Sequence, residues 1–476
     1  MIFVVYIVEA MSPGRLPMRR IILVSLMLVL ALTLVLAVDD AFGWRIMQAF
    51  YWNVPTSPAW YTTVSNNVAN LVSKYINVFY LPPPQKSYSW DSMGYDPYDY
   101  YDLGAYNQKG ATQTRFGTQA QLKGLLAKIH SYSGVYAMAD IVINHNSGGA
   151  SQYNPFVGSN TYTDFSGVAS GKWKRSYYDF HPNDLHSTDG YGTFGGMPDL
   201  CQDKTYDKTN IIAWLQWLTN RSYVGFDFWR LDYVKGYAPW VAQYIYDNTG
   251  SPLTIGEYWD GDRNAVNNWI NAVARANVKA FDFPLFYTLK SMCNTTDGSF
   301  NMANLSGAGL VGINASHAVT FAENHDTDQS DPIIYDKLMA YAYILAGEGD
   351  VDVFWKDYYD YGLAKEGTAL GIAQLLWVNY RLAGGSTTVL YTSSDLYIAQ
   401  RNGYGSNPGL IVVINDNTSS WLGATVKTKW TNTTLHAYAW NGKDTSQPQD
   451  KTTDGSGYAS LYAAPRGYAV YAPSGY

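Results

Sequence analysis

Only two cysteines, Cys201 and Cys293, occur in 476 residues. The chain therefore has no disulfide framework, and Cys293, in the run SMCNTTDG, reads as a free thiol. Charge is scarce as well, at 15% of residues with a formal net charge of −7. No basic run exists beyond the N-terminus, which argues against nucleic acid as a partner. No internal repeat is visible. What is abundant is aromatic: 42 Tyr and 16 Trp among 16% aromatic residues. Flat amphipathic rings in that number suit stacking on sugars, although many must belong to the core. The length exceeds what one core usually organises, so two or three domains are expected.

The first 38 residues read as an address. Arg19 and Arg20 precede an apolar run from Ile21 to Val38, and Asp39 and Asp40 follow it, the pattern of an export signal. The run is also just long enough to span a bilayer, which leaves an uncleaved anchor as the alternative. Met18, directly before the arginines, is the more natural start, so the first 17 residues are expected to be untranslated. The body is expected outside the cell, secreted or tethered to the outer face of the membrane by this segment alone, and as a monomer.

From Trp44 onward, apolar strands alternate with helical stretches. Strands are expected at Trp44 to Val54, Ile76 to Leu81, Val135 to Asn144, 224–235, Leu253 to Trp259, Val278 to Leu285, Ala318 to Asn324 and Val351 to Phe354. Eight buried strands with helices between them predict an α/β fold of the (β/α)8 TIM-barrel type. Residues 146–205, rich in Gly, Ser, Asn, Asp and Tyr without a period, interrupt the rhythm as a small loop-rich domain inserted after strand 3. Residues 44–145 and 206–392 then form the barrel. From 393 to 476 short alternating runs such as LYIAQRN and GYAVYAP predict a C-terminal antiparallel β-sandwich.

Four polar clusters fall at the carboxyl ends of predicted strands: Asp140 to His145, Arg230 to Lys235, Glu257, and Glu323 to Asp326. In a barrel that end is the active-site face. Within 224–235, Arg230 and Asp232 are two residues apart and project to one side of a strand. Burying that carboxylate requires a partner, and Arg230 is the nearest cation. An isolated Arg-x-Asp is more often a structural ion pair; four acid-bearing clusters at one end of one barrel are hard to explain by stability alone.

The motifs DIVINH (140–145), MPDL (197–200), FWRLDYVK (228–235), GEYWD (256–260) and FAENHD (321–326) resemble those of α-amylases of glycoside hydrolase family 13, in order and spacing over roughly residues 44–476. Through QAFYW (48–52), GYDPYD (94–99) and DFHPNDLH (179–186) the chain is most similar to the archaeal calcium-dependent group. The resemblance implies an endo-acting, retaining hydrolase of α-1,4-glucans. It implies Asp232 as nucleophile, Glu257 as general acid and then base, and Asp326 as a third carboxylate on sugar hydroxyls. Arg230 would orient Asp232, His145 and His325 would hydrogen-bond the sugar, Tyr95 would stack beneath it, and Lys235 would contact the next sugar on the leaving-group side. The chemistry of retention agrees, since it needs one ionised and one protonated carboxyl; Glu257 must then lie in the less polar setting, with Trp259 a candidate neighbour.

The resemblance also implies calcium at the insert, held by Asn144, Asp199, Asp189 with a carbonyl of its turn, and the carbonyl of Gly236. Oxygen donors from flexible loops are what that ion takes. His181, His186 and Cys201 are an imidazole and thiol set suited to zinc, matching positions used in some archaeal relatives. Solvated acids and a buried cysteine beside surface histidines are the plainer readings of the same residues. Two rivals remain open on this scaffold: a glucanotransferase or α-1,6-acting hydrolase, and a non-catalytic glucan-binding protein.

Overall fold

Eight short runs close on themselves in chain order: β1 Arg45–Gln48, β2 Val78–Leu81, β3 Tyr136–Ile141, β4 Phe228–Leu231, β5 Thr254–Gly256, β6 Val278–Phe281, β7 Ala318–Phe321 and β8 Asp350–Phe354. Each is parallel to its neighbours, and β8 pairs back onto β1 to complete the barrel. Nearly every strand residue is buried, which is why these runs are apolar without alternating: a parallel sheet covered by helices is hydrophobic on both faces. The computed structural model describes residues 43–185 and 194–476.

All eight expected strands are present, but several end earlier than their apolar runs. The clearest case is β6, expected to reach Leu285. It stops at Phe281 because the Asp282 carboxylate accepts the backbone N–H groups of Leu285 (2.9 Å), Leu310 (2.7 Å) and Val311 (2.8 Å). Asp282 thereby caps helix Phe283–Asn294, whose first turn holds Pro284. Cys293 lies fully buried in that helix as a free thiol, so its polar-looking run is a helix end.

The inserted segment carries an antiparallel hairpin, Ala150–Asn154 with Ser159–Asp164. It is anchored by Arg175, 2% exposed, which donates to the carbonyls of Trp173 (2.7 Å) and Tyr98 (2.8 Å). Its guanidinium also lies 4.8–5.0 Å from the ring centres of Tyr100, Phe165 and Trp173. A planar, weakly hydrated cation among rings is the arrangement in which arginine tolerates burial.

At the C-terminus come β9 Thr387–Thr392, β10 Leu396–Arg401, β11 Leu410–Asn415, β12 Leu422–Lys427, β13 Thr434–Asn441, β14 Lys451–Thr452, β15 Tyr458–Ala463 and β16 Gly467–Pro473. They form a six-stranded sheet in the order β9-β10-β11-β16-β13-β14 and a two-stranded sheet of β12 with β15. Strand β11 is buried on both faces. Leu410, Val412 and Ile414 join the large core of the barrel, while Ile411 and Val413 join a second core with Val426 and Leu461 of the smaller sheet. The six-stranded sheet is thus the middle layer, and Trp44–Tyr476 cluster as one unit.

Candidate active site

The ends of β3, β4, β5 and β7 bring together Asp140, Arg230, Asp232, Glu257 and the turn Glu323 to Asp326. Parallel pairing sets Asp140 directly opposite Arg230. Arg230 Nη1 donates to Asp140 Oδ1 and Asp232 Oδ1, both at 2.8 Å, and Nη2 lies 2.9 Å from Glu257 Oε1. One guanidinium, 2% exposed, therefore holds three buried carboxyls. The expected pairing of Arg230 with Asp232 is present, and the same fork also grips Glu257.

Asp140, the head of one of the four polar clusters, was given no role of its own by the sequence reasoning. Its Oδ2 accepts from Tyr80 (2.6 Å) and Tyr95 (2.7 Å), so it anchors the back of the arginine. An acid at the same level of the neighbouring parallel strand was the available signal.

Of the carboxyls on Arg230, Glu257 has the clearest shift of its proton affinity. Burial pushes Glu257 from 4.5 up to about 8, against the pull of Arg230 and with help from Asp232 and Asp326. Its Oε2 accepts the backbone N–H of Tyr233 (2.8 Å). Tyr233 is left-handed, φ 44° and ψ 52°, a conformation costing a bulky residue on the order of 1 kcal/mol, and it sits where the chain turns from Asp232 toward Glu257. Trp259, the candidate neighbour of Glu257, is itself held in place. Its ring stacks on Phe283 (4.8 Å, 15°) and its Nε1 donates to Tyr287.

Asp326 lies across the cleft. Its Oδ1 accepts from Trp52 Nε1 (3.0 Å), and burial raises its pKa. His325 is buried and held neutral, its pKa lowered to about 3 by burial and by Arg230. Gln48 Nε2 is 2.6 Å from its Nδ1, while its Nε2 is 3.3 Å from Asp326 Oδ2 and makes no hydrogen bond. Tyr95 stacks on His325 (5.3 Å, 12°) and tilts against Trp52 (5.4 Å). Gln48 and Trp52, the two ends of the QAFYW motif and assigned no role of their own there, thus hold the histidine and the third acid.

Two residues expected to contact sugar, His145 and Lys235, have partners within the chain. His145 reaches the Tyr95 carbonyl through Nε2 (2.9 Å), faces Asn144 Nδ2 through Nδ1 (3.3 Å) and stacks on Phe194. Lys235 donates to Trp259 O and Asp260 Oδ2, both at 2.8 Å.

Asn144 and Asp199, two of the residues expected to hold calcium, both adjoin His145, one in sequence and one across a backbone bridge. Asn144 Oδ1 is buried and has no hydrogen-bond partner. It presses on Gly236 so closely that a Cβ there would come within 2.0 Å of it, so only glycine leaves that pocket open. Asp199, 0% exposed, is bridged to His145 through the backbone. An orphaned amide oxygen, a buried carboxylate and a glycine carbonyl fit a hard cation. Asp189 and His186 lie outside the described residues. Of the three residues expected for zinc, His181 and Cys201 are buried, and among the described residues no three of His, Cys, Asp and Glu gather as a metal set.

Residues 73–242 match the family described as alpha amylase, catalytic domain, and residues 410–472 the one described as alpha-amylase C-terminal. An α-amylase of Geobacillus stearothermophilus is 31% identical over 448 residues, covering 80% of this chain and 79% of that one. A glucan 1,4-alpha-maltohexaosidase of Bacillus sp. (strain 707) is 27% identical over 79% of this chain and 83% of its own. Among solved structures, an Anoxybacillus α-amylase superposes with a TM-score of 0.65 at 16% identity, covering 92% of this chain and 99% of its own; at that identity the likeness speaks to the fold. With barrel, acid cluster and sequence relatives in agreement, this chain belongs to the α-amylase family of glycoside hydrolases.

Proposed function

We propose that the enzyme cuts internal α-1,4-glucosidic bonds of starch-like glucans with retention at the anomeric carbon, Asp232 acting as nucleophile and Glu257 as acid and then base. The observation that carries this reading is the single Arg230 fork holding both carboxyls, with one of them protonated near neutrality. Glu257 gives its proton to the leaving oxygen as Asp232 Oδ2 bonds to the anomeric carbon; the ionised Glu257 then takes a proton from the water that releases the sugar. Two carboxyls on one guanidinium also leave little space for the water an inverting pair holds across about 6.5–9.5 Å. Asp326 and His325 would bind hydroxyls of the sugar being cut. Digesting soluble starch and pullulan and separating the products tests the reading: internal cleavage of starch with α-anomeric products supports it. Transfer products without net hydrolysis, attack confined to α-1,6 bonds, or binding without turnover would each overturn it.

Calcium belongs to the same reading, held by Asn144, Asp199 and Gly236 with Asp189, as in the archaeal-like group that the QAFYW, GYDPYD and DFHPNDLH motifs suggest. Its role would be to tie the insert to the barrel and so keep His145 and Tyr95 beside the acids. A chelator should lower the melting temperature, and calcium should restore it; Asn144→Ala should abolish that response. Export rests on residues 1–38, which lie outside the described residues, and N-terminal sequencing of enzyme from culture medium tests it: a mature end just after the apolar run supports export with cleavage.

A further inference from the structure

Gln48, the last residue of β1, is 0% exposed, and its amide Nε2 lies 2.6 Å from His325 Nδ1. A neutral imidazole carries one proton, so its two nitrogens play opposite parts. Either the amide donates to Nδ1 and the proton sits on Nε2, or Nδ1 carries the proton and gives it to the amide oxygen. The surroundings favour the first arrangement. Gln48 Oε1 is buried without a hydrogen-bond partner among the described residues. Turning the amide over would put its two N–H groups in that place; an orphaned buried N–H is rarer than an orphaned carbonyl oxygen, and each unpaired donor carries its own desolvation cost. On the other side of the ring, His325 Nε2 lies 3.3 Å from Asp326 Oδ2. A ring N–H is drawn to a carboxylate oxygen there, whereas a ring lone pair would be set against the lone pairs of the acid.

The ring has little freedom to turn. It stacks on Tyr95 (5.3 Å, 12°) and packs against Phe50 (5.0 Å) and Trp52 (5.9 Å). The charged groups that face it are Arg230 of β4, Asp140 of β3 and Asp326 of its own turn. The Tyr95 hydroxyl, the other titratable group beside it, donates to Asp140 (2.7 Å). Burial and the Arg230 cation keep a second proton off the imidazole. A sugar hydroxyl both donates and accepts. One that accepts from Nε2–H and donates to Asp326 Oδ2 meets a donor and an acceptor 3.3 Å apart; with the ring proton on Nδ1 it would meet two acceptors and could satisfy only one.

We propose that Gln48 is a positioning residue for glucan cleavage: by donating to Nδ1 it fixes the His325 proton on Nε2, so that the ring gives a hydrogen bond to the same sugar from which Asp326 accepts one. The proposal rests on the glucan-cleaving reading for its substrate. Nitrogen NMR of the imidazoles in the full chain, with the His325 signals assigned by their loss in His325→Gln, reads the tautomer directly. Wild type should show Nε2 protonated and Nδ1 bare, without titrating across neutral pH. A proton on Nδ1, or a ring exchanging between the two forms, would overturn the proposal. Gln48→Met keeps the length of the side chain and removes the donor, and it should lower kcat/KM on soluble starch about tenfold, as for one lost orienting hydrogen bond. Gln48→Glu should recover that activity at acid pH, where a carboxyl O–H takes the amide's place as donor, and lose it as pH rises, because a carboxylate only accepts and draws the ring proton to Nδ1. Parallel pH profiles in the two variants would sink the positioning role. Should either variant fail to fold, the wild-type tautomer still decides. Wild type that cuts no starch overturns both readings; wild type that cuts starch with the proton on Nδ1 overturns this one alone.

Discussion

Two buried cations stand on either side of the turn after β7, and their surroundings differ in one respect. Lys337 binds Glu323 Oε2 (3.1 Å) and Asp357 Oδ1 (2.7 Å). The remaining carboxylate oxygens are closed off by the Thr327 hydroxyl for Glu323, whose Oε2 also accepts the Ile333 N–H, and by the Tyr341 hydroxyl for Asp357. Arg230 also gathers acids, yet among the described residues Asp232 Oδ2 meets no hydrogen-bond donor. Both clusters hold more acid than base, and both raise a glutamic acid, Glu323 to about 7 and Glu257 to about 8. A perturbed pKa alone therefore does not mark the catalytic group. What separates the two is an oxygen with nothing to do until a substrate arrives, beside a proton that can be given away.

That contrast can be broken from either side. Asp232→Asn removes the waiting oxygen while sparing the shape of the site; kcat should fall on the order of 10⁴-fold or more, as when a covalent nucleophile is lost, with the melting temperature held. Full activity in that variant would end the mechanism. Glu257→Gln should cost about 10²–10⁴-fold in kcat, the range for a general acid. In wild type, activity should decline as pH climbs through about 8, where the Glu257 proton leaves.

The same shift bears on stability. Between pH 4.5 and about 8 the folded protein keeps a proton that the unfolded chain has lost. This group therefore destabilises the fold progressively as pH rises through that window. Glu257→Gln should flatten that part of a plot of melting temperature against pH.

Lys337→Met attacks the closed cluster instead. It leaves two buried carboxyls unpaired and should cost about 3–5 kcal/mol of stability, read from a urea titration, while kcat/KM of the folded enzyme stays near wild type. A large loss of kcat/KM with little loss of stability would erase the distinction between the clusters. The smallest effect is expected from Trp52→Phe, which takes one donor from Asp326. It should lower kcat/KM by about tenfold, the worth of a hydrogen bond to a charged group, with the pH profile unmoved.

Much of this was legible in the chain itself. Eight apolar runs announced the barrel, because a strand buried on both faces cannot alternate. Acids at their carboxyl ends announced the site, because a parallel barrel delivers all those ends to one rim. The arginine's partner two residues on was legible for the same reason of strand geometry. The fourth cluster, Glu323 to Asp326, was divided only through its family motif: nothing in four adjacent polar letters by themselves says that Glu323 turns to Lys337 while Asp326 accepts from Trp52.

Sequence by itself determined which segments form the walls and which side chains are costly to bury, since both follow from the local pattern of apolar and charged residues. Only the tertiary structure decided how that cost is met. The register of β3 beside β4 puts Asp140 behind Arg230, and the left-handed turn at Tyr233 aims a backbone N–H at Glu257. Gln48 and Trp52, some 275 residues upstream, come to hold His325 and Asp326. Hydrogen bonds and charge act over a few ångströms of space, and which residues share those ångströms is settled when the barrel closes.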